Sequence, residues 1–245
     1  WLIDELSQLG VFEAGISNPG EMEALQSIIQ PTIGIMTNIG KAHQENFRSI
    51  REKCLEKLLL FKDVEVLIYN ADDETISSCL KDSGFERPTF AWSRHNAGVP
   101  LYIDNVKAEN NATVISYVYN GKDETSFSIP FIDEASIENA IHCLALCLYM
   151  KMDTATIAER MACLEPVAMR LEVKDGINGC TLINDSYNSD LKSLEFALDF
   201  MNRRQDRKDR RFTLVLSDML QTGMDLDELY ADIANLANNY HIDKL

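Results

Sequence analysis

No apolar run in the sequence reaches the roughly 18 residues that a bilayer-crossing helix requires. The first residues carry Asp4 and Glu5 where an export signal carries basic side chains, so a soluble, cytoplasmic protein is expected. Cations are in the minority: 23 Lys and Arg stand against 39 Asp and Glu, a formal net charge of −16. That balance opposes non-specific binding to nucleic acid and to anionic lipid, and a phosphorylated ligand would need a metal ion or a local basic cluster. No C-x-x-C pair occurs among the six cysteines (54, 79, 143, 147, 163 and 180). Their placement, with Cys143 and Cys147 one helical turn apart in an apolar run, predicts reduced core residues. A phosphate-cradling G-x-x-x-x-G-K-[ST] loop is also missing: Gly40-Lys41 is followed by Ala42, Gly121-Lys122 by Asp123, and neither has the preceding glycine. There is no internal repeat and no low-complexity segment. What is present is 245 residues at 46% hydrophobic content, enough to core one large domain or two ordinary ones.

The first third alternates strand and helix in the manner of a parallel α/β sheet. Residues 11–14 read as a short strand, 15–20 as a turn and 21–30 as a helix with Met22, Leu25, Ile28 and Ile29 on one side. A strand at 31–37, a helix at 50–61 and a buried-type strand at 64–69 follow. From residue 89 to 130 the pattern becomes β-rich, with segments 101–108, 113–119 and 125–129 and a hairpin signal at Asn120-Gly121, which predicts a small antiparallel patch. Helical spacing returns at 135–150 and 154–164. A boundary is expected near Glu165-Pro166, because a second alternation begins there: 171–174, 180–184, 191–201, 212–216 and 226–238. The charged stretch 203–211 reads as a solvated loop. The fold class is therefore α/β: a mostly parallel sheet with a small antiparallel patch over residues 1–165, then a second strand-helix unit over 166–245.

Open parallel sheets bind ligands beyond the carboxyl ends of their strands, so polar residues at those positions weigh most. Glu13 ends the first strand. Thr37-Asn38 ends the next and leads within five residues to His43. Asp185 follows 181–184, and Asp218 follows 212–216. Each also has an ordinary structural reading: Glu13 as a partner for a nearby helix N-terminus, His43 as a helix cap, Asp185 and Asp218 as N-caps of the following helices. Lys57 differs in kind, because Ile50, Cys54, Lys57 and Phe61 follow the spacing of a single helix face and place a lysine within an apolar stripe. It reads either as a snorkelling chain or salt-bridge neighbour around Glu56, or as a lysine held for chemistry or covalent modification. These residues by themselves establish only a two-part α/β protein with a polar cleft.

Six strings in order along the chain resemble the Mur ligase family. They are Phe12-Glu-Ala-Gly-Ile-Ser-Asn-Pro-Gly-Glu-Met22, Pro31-Thr-Ile-Gly-Ile-Met-Thr-Asn-Ile-Gly-Lys-Ala-His43, Glu56-Lys-Leu-Leu-Leu-Phe61, Glu138-Asn-Ala-Ile141, Met169-Arg-Leu171 and Asn184-Asp-Ser-Tyr-Asn188. The last is similar to the version in the branch of the family that joins D-alanyl-D-alanine to UDP-N-acetylmuramoyl-tripeptide. Two strings depart from the family pattern: Ser189-Asp190 replaces a small residue and asparagine, and Ser217-Asp218-Met219 stands where Gly-Asp-Met is common.

The resemblance implies a truncated, mostly parallel-sheet Mur ligase central domain over residues 1–165, followed by part of its Rossmann-like C-terminal domain over 166–245. The implied activity is an ATP-dependent amide ligation of peptidoglycan precursor synthesis, proceeding through an acyl phosphate with ATP and Mg2+. It implies that Glu13 and His43 hold magnesium and that a carbamylated Lys57 helps to fix a second ion. Asn38 would belong to the nucleotide site, Asn139 would contact adenine, Arg170 the phosphates and Asp185 the ribose, with Lys57, His43 and Arg170 serving catalysis. It further implies a phosphate loop and a UDP-binding domain upstream of Trp1 and another strand after Leu245, so the 245 residues alone are expected to be inactive. Two rival readings are a non-catalytic relic that binds a nucleotide or partner protein, which has no need of the metal-ligand set, and a folylpolyglutamate synthase, against which Asp185-Ser-Tyr-Asn188 argues.

Overall fold

The computed structural model describes residues 6–40, 46–165, 171–187, 190–203, 210–219 and 224–245. In chain order the elements are α1 (Glu21–Ile29), β1 (Ile33–Met36), α2 (Ile50–Leu59), β2 (Val66–Asn70), α3 (Glu74–Asp82), β3 (Thr89–Ser93), β4 (Leu101–Glu109), β5 (Ala112–Tyr119), β6 (Thr125–Ile129), α4 (Glu134–Tyr149), α5 (Thr154–Ala162), β7 (Glu172–Asp175), β8 (Thr181–Asn184), α6 (Leu191–Arg203) and α7 (Leu226–Asn239). The larger sheet has the order β1-β2-β3-β4-β5-β6, and β7 and β8 form a separate antiparallel pair. The described residues make two compact units that interleave along the chain: 1–104 with 117–124 and 142–151, and 105–116 with 125–141 and 152–245. The domain boundary expected near Pro166 falls outside the described residues.

In the first unit, β1, β2 and β3 are parallel, with Ile33 opposite Val66 and Leu67 opposite Thr89. The helices between them start where side chains satisfy the unpaired amides of a first turn: Ser49 accepts from the Glu52 amide, and Asp73 from that of Ile76. Cys54, Leu58, Phe61, Leu67, Ile76 and Cys79 are buried in one core. Gly34 is required in β1, because a Cβ there would lie 2.5 Å from Phe61 Cδ1 and push the end of α2 off the sheet.

Several expectations need correction. Residues 11–14 form no strand: Val11 and Phe12 are exposed, and no described strand supplies the hydrogen-bonded neighbour that such a short segment needs. Helix α3 was not anticipated. Strand β4 lies in the segment expected to be antiparallel, yet it pairs parallel with β3 through Trp92–Leu101 and Ser93–Tyr102. The hairpin expectation holds on the other side, where β5 turns at Asn120 (φ 51) and Gly121 (φ 66), both left-handed as a tight primed turn demands. All six cysteines are free, but only Cys54 and Cys79 are core residues; Cys147 is half-buried, and Cys143, Cys163 and Cys180 are exposed.

In the second unit, α5 packs on β6, and a small core of Leu194, Leu198, Met219, Leu229 and Ile233 joins α6 to α7. Residues 212–216 were expected to be a strand. They make only an isolated parallel bridge, Thr213 to Lys244, because a single short partner at 242–245 leaves their other backbone groups without a ladder. The stretch 204–209 of the expected charged loop lies outside the described residues.

Candidate nucleotide and metal site

The carboxyl end of β1 is fixed by two buried side chains that no sequence motif advertised. His142 is 3% exposed on α4, with its Nδ1 3.1 Å from the indole nitrogen of Trp92 and its Nε2 3.1 Å from the carbonyl oxygen of Thr37. An indole N–H can only donate, so Nδ1 accepts and Nε2 carries the proton that is donated to Thr37. The rings of Trp92 and His142 meet edge to face at 5.2 Å. Burial lowers the His142 pKa to about 4, against a smaller opposing effect of the Thr37 carbonyl, so the ring is neutral at physiological pH. Three residues further along, the Gly40 carbonyl accepts from Nζ of Lys53 at 2.9 Å, and Lys53 is also only 3% exposed. Asn38 is exposed between these two ties. The available signals were weak: Lys53 shares the apolar helix face of Ile50 and Lys57, and His142 is the one polar side chain in the run Ala140–Leu148 of α4, cysteines aside.

Glu13 is exposed on irregular backbone. The loop after it is held by other carboxylates. Glu21 accepts from the amides of Ser17 (2.7 Å) and Asn18 (3.0 Å), and Glu56 accepts from those of Gly20 (2.7 Å) and Met22 (3.4 Å), so Glu56 and not Glu13 serves the start of α1. Among the described residues, no ion pair joins Glu56 to Lys57. Lys57 is half-buried, and loss of solvent around the ammonium pulls its pKa below the ordinary lysine value.

Beyond β2 and β3, Asp72 accepts from the Ser93 hydroxyl and from the Arg94 amide at 2.7 Å. Ser93 Oγ in turn accepts from the amides of His95 and Asn96 at 2.9 and 2.8 Å, fixing the loop that follows β3. This network was missed as well, although Asp72 follows a strand just as Asn38 does.

In the second unit, Asn139 is exposed on α4. Asp185 follows β8 and accepts from the Leu171 amide at 3.0 Å, while Asp190 caps α6 through Ser193, so Asp185 is not that helix's N-cap. Asp218 is not an N-cap either: Asp225 caps α7, and Asp218 accepts from the Tyr230 hydroxyl at 3.0 Å, which raises the pKa of that phenol. His43 and Arg170 lie outside the described residues. Among the described residues, no three His, Cys, Asp or Glu side chains cluster as a metal site.

Residues 3–147 match the family model of the Mur ligase middle domain. The chain belongs to the Mur ligase family. It is similar to the UDP-N-acetylmuramoyl-tripeptide–D-alanyl-D-alanine ligase of Bacillus subtilis (strain 168), with 28% identity over 229 residues, covering 92% of this chain and 48% of that protein. The chain therefore spans about half the length of the curated relatives it matches. Crystal structure II of MurF from Acinetobacter baumannii superposes with a TM-score of 0.75 at 17% identity, over 92% of this chain and 47% of that one. The MurF ligase of Thermotoga maritima in complex with ADP gives 0.71 at 17% identity, over 91% and 50%. The Mur ligase middle-domain match spans Glu13, Asn38, His43, Lys57 and Asn139 and stops short of Arg170 and Asp185. Among the described residues of this Mur ligase chain, no helix is long and apolar enough to cross a membrane.

Proposed function

We propose that these residues are the central and part of the C-terminal domain, divided at 165/166, of a cytoplasmic ATP-dependent ligase that joins D-alanyl-D-alanine to UDP-N-acetylmuramoyl-tripeptide. The observation that carries this reading is the similarity to a D-alanyl-D-alanine ligase along 92% of the chain. In the proposed reaction the peptide's terminal carboxylate attacks the γ-phosphorus of ATP and ADP leaves. The amine of D-alanyl-D-alanine then attacks the acyl carbon of the acyl phosphate, loses a proton and expels inorganic phosphate.

Asn139 presents a carboxamide suited to the donor and acceptor edge of adenine, Asp185 accepts from a ribose hydroxyl, Arg170 pairs with phosphate oxygens, and Asn38 sits at the strand end that faces the nucleotide. The oxygen donors of this set fit magnesium, and the imidazole of His43 is assigned to it by the family resemblance. Glu13 offers an exposed carboxylate, a hard oxygen ligand, and His43 closes the separate string that runs on from β1 and carries Asn38. Carbamylation of Lys57 would replace a poorly solvated ammonium with a second oxygen anion. The ion, when bound, neutralises phosphoryl oxygens so that two anions can meet.

The sequence holds no G-x-x-x-x-G-K-[ST] run, so the 245 residues alone are proposed to release no phosphate from ATP. The test is a polypeptide that joins residues 1–245 to the phosphate-binding loop, UDP-binding domain and remaining C-terminal segment of a D-alanyl-D-alanine ligase, supplied with ATP, Mg2+, the UDP-linked tripeptide and D-alanyl-D-alanine. Phosphate release that requires both the tripeptide and the dipeptide supports the reading. Release that responds instead to a folate and glutamate overturns it in favour of a folylpolyglutamate synthase, and nucleotide binding without turnover overturns it in favour of a relic.

A further inference from the structure

Resting on the nucleotide-site reading of Asn38, we infer that His142 is a positioning residue: held by the Trp92 indole as its neutral Nε2–H form, it fixes the Thr37 carbonyl and so aims Asn38 for ligand binding. The inference starts from geometry. Thr37 is the first residue past β1, and its carbonyl has left the ladder, which ends at the Met36–Tyr69 pair. A carbonyl at that point must find a donor or turn to water, and the direction it takes sets the plane of the Thr37–Asn38 peptide. The donor comes from 105 residues away, on α4.

A histidine donates through Nε2 only in one of its two neutral forms, and what selects that form is the indole N–H of Trp92 at 3.1 Å from Nδ1. Trp92 is 1% exposed, so water does not compete for Nδ1. The chain Trp92 N–H to His142 to Thr37 carbonyl thus has a single polarity, set by the residue that cannot reverse. Hydrophobic packing alone would put a leucine or phenylalanine at position 142. A group that both accepts and donates at opposite ends is needed only if the orientation of the Thr37 peptide matters. On the far side of Asn38, the Lys53–Gly40 contact holds the segment's other end, so Asn38 is carried on a short span fixed at both ends.

The experiment uses the 245-residue chain and nitrogen-15 NMR. In the wild type, the His142 ring is expected to show an unprotonated Nδ1 and a protonated Nε2 at neutral pH. In His142→Phe, the backbone and carboxamide resonances of Asn38 should move. In His142→Gln, whose amide oxygen can accept from Trp92 while its NH2 donates to Thr37, they should stay close to wild type. Titration with MgADP should give an affinity weakened roughly tenfold or more in His142→Phe and restored in His142→Gln, as for other residues that orient a ligand-binding group from behind. If His142→Phe does not fold, Trp92→Phe serves: it keeps a ring but removes the indole donor, and it should mix the two His142 forms and shift Asn38. Unmoved Asn38 resonances in the folded variant overturn the inference, as does equal perturbation by Phe and Gln, which is the mark of packing alone. If the wild type does not respond to MgADP while Asn38 still moves in His142→Phe, the positioning stands and the nucleotide reading of this chain fails.

Discussion

Two segments of this chain that carry a polar residue beyond extended backbone, the end of β1 and residues 213–218, are built to different standards. At the end of β1, the Thr37 and Gly40 carbonyls are each taken by a side chain only 3% exposed, and the strand beneath lies in a core that includes the fully buried Leu67. At residues 213–218, a lone bridge to Lys244 holds the backbone, Val215 is 88% exposed, and Asp218 is held by the exposed Tyr230. Within one chain, then, a polar residue beyond extended backbone can be backed by buried side chains that take its neighbours' carbonyls or be held by an exposed side chain alone. The first arrangement is what precise ligand placement requires, since a site tightens only if its supporting shell is itself locked.

The largest expected difference between the two regions is in packing. Leu67→Ala should cost about 2–5 kcal/mol in urea unfolding, as a leucine removed from a closed core does. Val215→Ala should stay within about 0.5 kcal/mol, the usual range of a surface change. Comparable losses at both positions would erase the comparison.

Next in size is a pH effect. The folded-state pKa of His142, about 4, lies below the ordinary histidine value, so the unfolded chain takes up the proton first as pH falls. Its contribution to stability is therefore complete above pH ~6.5 and declines toward pH ~4, at about 1.4 kcal/mol per pH unit at most. Thermal midpoints measured from pH 7 to 4 should fall more for wild type than for His142→Gln, which has no proton to take up there. Parallel curves would mean that the ring is not held neutral.

Smaller again is a contrast between two lysines on one helix. Lys53→Met removes the donor to the Gly40 carbonyl and should cost about 1–2 kcal/mol. Lys57→Met removes an ammonium already disfavoured by its surroundings and should leave the thermal midpoint unchanged or slightly higher. The reverse order would show that Lys57 has a structural role. Tyr230→Phe, at the exposed strand end, should not move the midpoint measurably.

What could be read in the sequence followed from periodicity. The helices at 50–59 and 134–149 and the strands at 33–36 and 66–70 have clean apolar spacing, and the Asn120-Gly121 turn has residues that tolerate positive φ. Helix α3 escaped notice because it is only nine residues long and its apolar face is just Ile76, Cys79 and Leu80, although Asp73 marked its start. Residues 11–14 and 212–216 were read as strands on local composition, whereas a strand exists only if a neighbour completes its hydrogen bonds. Where a motif names residues, as for Glu13, Asn38, Lys57, Asn139 and Asp185, the sequence offers site candidates. The site was not legible where the support comes from distant chain: Lys53, Glu56, Asp72 and His142 act on backbone groups 13, 36, 22 and 105 residues away, and one-dimensional spacing does not record such pairings. The helix caps show the same limit, since Asp190 and Asp225, rather than Asp185 and Asp218, fill those positions.

The central claim is that the end of this sheet serves an ATP-dependent ligase, and Lys57 tests it most directly. In a polypeptide joining residues 1–245 to the phosphate-binding loop, UDP-binding domain and remaining C-terminal segment of a D-alanyl-D-alanine ligase, ligation of D-alanyl-D-alanine to the UDP-linked tripeptide is measured for wild type and Lys57→Ala at saturating ATP and Mg2+. The account predicts a loss of ligation by orders of magnitude with unchanged circular dichroism, partly restored by short carboxylic acids that replace the missing carbamate. Near wild-type turnover in the variant would contradict it.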